Sequence, residues 1–184
     1  MNKGTALKNL ADIRDVFDIA GIKYFLAYGT CLGAIREKNI IGHDLDTDIG
    51  IMDEDFNFSL IALLVKKGFE VKYIFGMRHC GFEIALYRNG VKTDIMLFYK
   101  KGDKVWTALW NNGGKNGMKD IIKEVYPAEL FEGRKIAKLA DESFTVLERA
   151  EDYLTAQYGD WKTPTANWDW RSSSPSINND FDIS

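Results

Sequence analysis

Between Tyr24 and Met52 the chain reads YFLAYGTCLGAIREKNIIGHDLDTDIGIM, and in it Asp44, Asp46 and Asp48 alternate with Leu45, Thr47 and Ile49. In an extended strand successive side chains point to opposite faces, so these three carboxylates are expected to share one. Two like charges about 4 Å apart repel by roughly 4 kcal/mol at an effective dielectric of about 20. Such a row calls for a cation, and an oxygen-only donor set suits Mg²⁺, Mn²⁺ or Ca²⁺. Asp46 and Asp48 alone would bridge metal ions in a two-metal phosphoryl-transfer site. Asp44 is expected as an additional ligand or a supporting group. The third carboxylate is expected from Asp94, because Val91–Tyr99 otherwise has the composition of an apolar strand. A charge in such a strand is costly unless it is paired or metal-bound.

Upstream of the row, Gly29-Thr30 is expected to turn a strand into a short helix, with Thr30 as its N-cap. Glycine lets the backbone approach a ligand closely, and N–H groups at a helix start suit phosphate oxygens. By itself the dipeptide is better accounted for by a simple tight turn. Arg36 is a bidentate cation that could grip phosphate or stand in solvent. Lys38, Arg78 and Lys92 are further cationic candidates. His43 is expected in a structural or acceptor-side role, and His79 lacks zinc-ligand spacing. Trp161, Trp168 and Trp170 are expected to pack the C-terminal segment onto the core.

The elements that must position these groups follow from periodicity. Leu7, Leu10, Ile13, Phe17 and Ala20 predict a helix over 5–20 that Gly21 stops. Strands are expected over 22–28 and within 40–52. Asp53 is expected to cap a helix burying Phe58, Ile61, Ala62, Leu64 and Val65, with Gly68 at its end. Runs at 69–75, 81–88, 91–100 and 105–110 read as strands, and Asn89-Gly90 between two of them is a strong hairpin signal. Residues 111–117 (NNGGKNG) read as a loop. Strands 132–139 and 143–147 are expected to pair, followed by a helix over 148–158. This order predicts an α+β fold, a mixed sheet flanked by helices, with one domain over 1–170 and a disordered polar tail over 171–184.

A formal net charge of −3 gives no global electrostatic case for nucleic-acid binding. Two cysteines are too few for a disulfide scaffold, the first twenty residues lack a signal-peptide apolar core, and no apolar run is long enough to span a membrane. A cytoplasmic location is expected.

The ordered motifs resemble one family. Gly29-Thr-Cys-Leu-Gly33-Ala-Ile-Arg36, then Ile40-Ile-Gly-His-Asp44-Leu-Asp46-Thr-Asp48-Ile49, is similar to the signature of the LicD/fukutin family of the nucleotidyltransferase-fold superfamily. Lys92-Thr-Asp94-Ile-Met-Leu-Phe98-Tyr99 resembles its third-carboxylate strand, and Tyr153-Leu154 with Tyr158-Gly-Asp-Trp161 and Pro164 resembles its C-terminal ending. The chain departs from the family at Gly42-His43, where Pro-Trp is common, and at Val146-Leu147, which stands where the family often has a proline after its penultimate strand. The resemblance implies a nucleotidyltransferase-like catalytic domain with Asp46, Asp48 and Asp94 as catalytic metal ligands and Gly29, Thr30 and Arg36 at the donor. It implies Mg²⁺- or Mn²⁺-dependent transfer of a phospho-alcohol, such as phosphocholine or a polyol phosphate, from a CDP-linked donor to a hydroxyl of a glycan or glycolipid, releasing CMP.

Two other readings use the same residues. Nucleotide transfer from an NTP to a protein, RNA or small molecule also breaks a phosphoanhydride and needs the same acids. A calcium loop would place Asp44, Asp46 and Asp48 at positions 1, 3 and 5, but its sixth position needs glycine and holds Ile49, and its twelfth is Asp55.

Overall fold

The computed structural model describes residues 1–165 and 168–183. Helix α1 (Lys3–Ala20) opens on Asn2, whose side chain accepts the Thr5 N–H, and closes on Gly21 in the left-handed conformation at φ 67°. Its apolar face, Ala6, Leu10, Ile13 and Phe17, is buried. The chain then makes a two-residue strand β1 (Phe25–Leu26), a short helix α2 (Tyr28–Leu32) that continues as a π-turn over Gly33–Glu37, strand β2 (Asp46–Met52) and helix α3 (Ser59–Lys66). Strands β3 (Glu70–Met77), β4 (Cys80–Arg88), β5 (Val91–Lys101), β6 (Lys104–Trp110) and β7 (Ile121–Pro127) follow, then β8 (Arg134–Leu139), β9 (Glu142–Leu147) and helix α4 (Ala150–Tyr158).

The main sheet runs β1-β2-β5-β4-β3, with β6 joined to the far end of β5 and β7 to β6. Only β2 and β5 pair in parallel; every other named pairing is antiparallel, so the fold is α+β with a mixed sheet. Asn89 and Gly90 both take positive φ in the β4–β5 turn, as a tight hairpin requires. By alternation, Thr47, Ile49, Ile51, Thr93, Ile95 and Leu97 share one face, on the side where α1 packs. The opposite face carries Asp46, Asp48, Lys92 and Asp94 at one end. At the other end it is sealed by Phe25, Phe98, Phe131, Tyr126 and Tyr153, whose neighbouring rings lie 5.1–5.7 Å apart. Gly50 makes that seal fit, because a Cβ there would stand 2.3 Å from the Phe25 ring. Among the described residues no helix is long and apolar enough to cross a membrane.

The structure corrects several expectations. The acidic Asp53–Asp55 forms a separate 3-10 turn, and α3 begins only at Ser59. Asp53 pairs with Arg78 and Asp55 with Lys23, so these acids are spent on tertiary ion pairs. Leu60 and Leu64 are the buried positions of α3, whereas Phe58 and Val65 are exposed. Strand β1 is far shorter than the 22–28 expected, and β7 was not anticipated from the sequence. The tail expected to be disordered is laid against β7: Val125 N–H donates to Ser176 O, Asn178 N–H to Lys123 O, and Ile177 bridges Glu124. Ser174 and Ser176 are buried there, which ties the segment to the domain that was expected to end at residue 170. Ser184, the last residue of that expectation, lies outside the described residues.

Candidate active site

Strand β2 meets β5 in parallel with Asp46 opposite Lys92 and Asp48 opposite Asp94. Because partners in register point to the same side, three carboxylates and one ammonium crowd a single patch of sheet. Lys92 Nζ lies 2.9 Å from Asp46 Oδ2 and 2.7 Å from Asp94 Oδ2. Asp94 is buried, and its other oxygen, Oδ1, is buried without a hydrogen-bond partner. Burial pushes Asp94 up against the pull of Lys92. Asp48 stands well above the usual carboxylate range, through burial and then the charges of Asp46 and Asp94. Burial alone would lower Lys92, but Asp94 and Asp46 hold it above its ordinary value. Glu83 on β4 lines the same hollow and is pushed up to about 8 by burial and by the charge of Asp94.

Asp44 is not part of the strand; it precedes β2 and leans on the α2 turn. A Cβ on Gly29 would stand 2.9 Å from Asp44 Oδ2, so glycine at this position makes room for the carboxylate. Burial first, and then the nearby charge of Asp46, push Asp44 up to about 6. Thr30 does not cap α2, which begins two residues earlier. Its Oγ1 accepts the Asp48 N–H at 2.8 Å, fixing the start of β2 against the turn. Tyr28 takes φ 43°, a conformation side chains rarely adopt, and is held there from both ends. Its N–H meets Tyr153 Oη at 3.3 Å, and its hydroxyl donates to Glu124 Oε2 at 2.7 Å. Glu124 also accepts from Gln157 Nε2 at 2.9 Å, and Tyr126 Oη lies 3.0 Å from it with one proton to share between Glu124 Oε2 and Gln157 Oε1.

Over this patch lies a cavity of about 520 Å³ lined by Gly29, all four aspartates, Lys92 and Glu83, and walled by Tyr73, Phe75, Trp110, Trp168 and Trp170. A second cavity of about 400 Å³ adjoins it through Gly29, Asp44, Tyr158 and Trp168, and contains Arg36 and His43. The expected residues therefore divide. Gly29, Asp44, Asp46, Asp48 and Asp94 come together; Thr30 supports them from beneath; Arg36 stands next door, donating to Trp161 O and Glu37. His79 pairs with Asp53, outside both cavities' linings. Trp161 packs as expected, but Trp168 and Trp170 line the carboxylate cavity. Glu83, Gln157 and the stacked Tyr73, Phe75 and Trp110 wall were missed; only Glu83, a charge inside an apolar strand, carried a local signal.

The donor chemistry suits a hard divalent cation: oxygen ligands on one face, with a buried Asp94 oxygen lacking any partner. Among the described residues, however, no group of three or more His, Cys, Asp or Glu side chains is drawn close enough to hold an ion, and Lys92 stands between two of the candidates. Asp46 and Asp48 belong to a paired strand, which is incompatible with the calcium-loop reading.

Residues 21–129 match the family model described as LicD/FKTN/FKRP, nucleotidyltransferase domain. The chain is 32% identical over 174 residues to ribitol-5-phosphate transferase FKTN of Mus musculus, covering 94% of this chain and 35% of that protein. To the Homo sapiens protein of the same name it is 32% identical over 162 residues, 85% of this chain and 33% of that one. An uncharacterized Caenorhabditis elegans protein is 30% identical over 181 residues, 94% of this chain and 47% of its own length. The chain thus spans about a third of the length of the transferases it matches.

Proposed function

Since the chain belongs to the LicD/FKTN/FKRP nucleotidyltransferase-domain family, we propose that it is a metal-dependent phosphotransferase. It moves a phospho-alcohol unit from a CDP-linked donor to a hydroxyl of a glycan or glycolipid and releases CMP. The observation that carries this reading is the register of β2 on β5, with Asp48 opposite Asp94 and Asp46 on the same face of a cavity about 520 Å³ in volume. A cavity of that size suits a nucleotide-sized ligand. The relatives named as ribitol-5-phosphate transferases support a polyol phosphate as the unit moved.

Asp46, Asp48 and Asp94, with Asp44 at the edge, would hold Mg²⁺ or Mn²⁺. An ion held by these residues would supply positive charge against the diphosphate and the in-line transition state. The acceptor oxygen bonds to phosphorus as the anhydride bond to CMP breaks, and the acceptor's proton passes to a carboxylate. Asp94 is the candidate acceptor of that proton, because its Oδ1 has no other partner. Thr30 and Gly29 keep the turn and Asp44 seated against this face, so the acids are oriented before the donor arrives. The two free cysteines fit a reducing, cytoplasmic setting.

A donor screen with purified protein and Mg²⁺ tests the reading. CDP-ribitol, CDP-choline and the four NTPs are each offered, and released CMP is read against released pyrophosphate. CMP from a CDP-alcohol is expected. Pyrophosphate from an NTP, with a nucleotide left on an acceptor, would replace this reaction by nucleotidyl transfer.

A further inference from the structure

Lys92 stands where a cation held by these carboxylates has to stand. Its ammonium reaches Asp46 Oδ2 at 2.9 Å and Asp94 Oδ2 at 2.7 Å, two of the oxygens that would ligate a metal. Two cations cannot share the same pair of oxygens, since their mutual repulsion at such distances costs several kcal/mol even at an effective dielectric of about 20. The lysine is also an incomplete partner. It leaves Asp94 Oδ1 buried and unpaired, and it bonds to neither oxygen of Asp48. One positive charge therefore faces three carboxyl groups, a mismatch that a divalent ion would reduce.

Mobility distinguishes the two sides of the contact. The Asp94 side chain is 9% exposed and fixed on a central strand, whereas that of Lys92 is 40% exposed and lies on a flexible four-carbon stem. Lys92 lines the same cavity as Gly29 and Asp44, so an ammonium released from the carboxylates stays within that hollow. A diphosphate bound there is the nearest new anion it could meet.

We infer that Lys92 is an exchangeable counter-ion. It holds Asp46 and Asp94 together until a divalent cation takes their oxygens, and it then turns its ammonium onto the diphosphate of the donor. This rests on the phosphotransferase reading above, and adds to it a residue that couples metal loading to donor binding.

Binding of Mn²⁺ to the full chain, without nucleotide, is measured by electron paramagnetic resonance for wild type and Lys92→Met. With its competitor gone, Lys92→Met is expected to bind Mn²⁺ about tenfold more tightly. With Mn²⁺ saturating, the same variant should bind CDP about tenfold more weakly while CMP changes less than about threefold, because only CDP offers a diphosphate. A second measurement needs no variant. Reductive methylation of wild type, read by mass spectrometry at Lys92, should increase on adding Mg²⁺ and fall again on adding CDP. Unchanged Mn²⁺ affinity in Lys92→Met, equal losses for CDP and CMP, or methylation at Lys92 indifferent to Mg²⁺ would each overturn the exchange. Wild type that binds neither Mn²⁺ nor CDP would overturn the phosphotransferase reading as well, which separates the two failures.

Discussion

Two buried acidic centres of this molecule are built in opposite ways. Glu124 is fully buried, and both of its oxygens are bonded, Oε2 by Tyr28 and Oε1 by Gln157. Gln157 Oε1 is bonded in turn by Tyr126 and Ser176, so the network ties α2, β7, α4 and the C-terminal strap into one body. Asp94 is also buried, yet one oxygen has no partner and its neighbours Asp46 and Asp48 carry the same charge. A buried carboxylate with all its bonds made holds a fold together. One left unsatisfied beside like charges is costly to keep, and this contrast marks the β2–β5 face as the candidate site.

The sharpest way to break the contrast is to remove charge from each centre. Asp48→Asn and Asp94→Asn should each lower metal-dependent CMP release by about 10²–10³-fold or more. Their melting temperatures should hold or rise by a few degrees, since repulsion is relieved. Unchanged turnover in both would show that the crowded acids are structural. Glu124→Ala should do the reverse. Stripping the Tyr28 and Gln157 donors of their acceptor is expected to cost about 2–5 kcal/mol in urea unfolding, with any loss of turnover following the loss of folded protein. If Glu124→Ala kept full stability, the network would not be the anchor described.

Glu83 lies between these extremes. Unfolded, it titrates near 4.3; folded, burial and Asp94 raise it to about 8. Between those values the unfolded chain has released a proton that the folded chain keeps. Its contribution to stability therefore falls as pH rises from about 4 to about 8 and levels off above. Glu83→Gln should flatten that slope and stabilise the protein by about 1–3 kcal/mol at pH 8. A variant whose pH–stability profile overlays the wild type would show that Glu83 does not sense the carboxylate face.

What could be read from the chain in advance follows the same division. The acids of the candidate site announced themselves because Asp46, Asp48 and Asp94 interrupt apolar runs where a charge is costly. The β4–β5 hairpin announced itself through Asn89-Gly90. The anchor did not. Glu124 sits in IIKEVYP, whose charged residues conceal a strand, and its partners Tyr28, Gln157 and Ser176 come from distant parts of the sequence. The same distance hid the role of Thr30, which looks like an N-cap locally but is recruited by the backbone of Asp48. It also made Asp53–Asp55 look like a helix start, when Arg78 and Lys23 claim two of those acids. The polar composition of 171–183 suggested disorder, because nothing local shows that β7 has an edge to receive it.

The smallest expected effect tests whether that received strap belongs to the anchor or to the site. Ser176 Oγ meets Gln157 Oε1 at 3.2 Å and Ser174 Oγ at 2.7 Å. The backbone of Ser176 separately accepts from Val125. Ser176→Ala removes only the hydroxyl; Gln157 Oε1 keeps its bond from Tyr126, so no buried acceptor there is stranded. A loss of about 1 kcal/mol is expected, seen as a fall of about 2–4 °C in melting temperature, with kcat and the donor KM unchanged. The same strap leads back to Trp168 and Trp170, which line the carboxylate cavity. If Ser176→Ala instead raised the donor KM several-fold at unchanged stability, the strap would act on the cavity through those rings, and the two centres would be one.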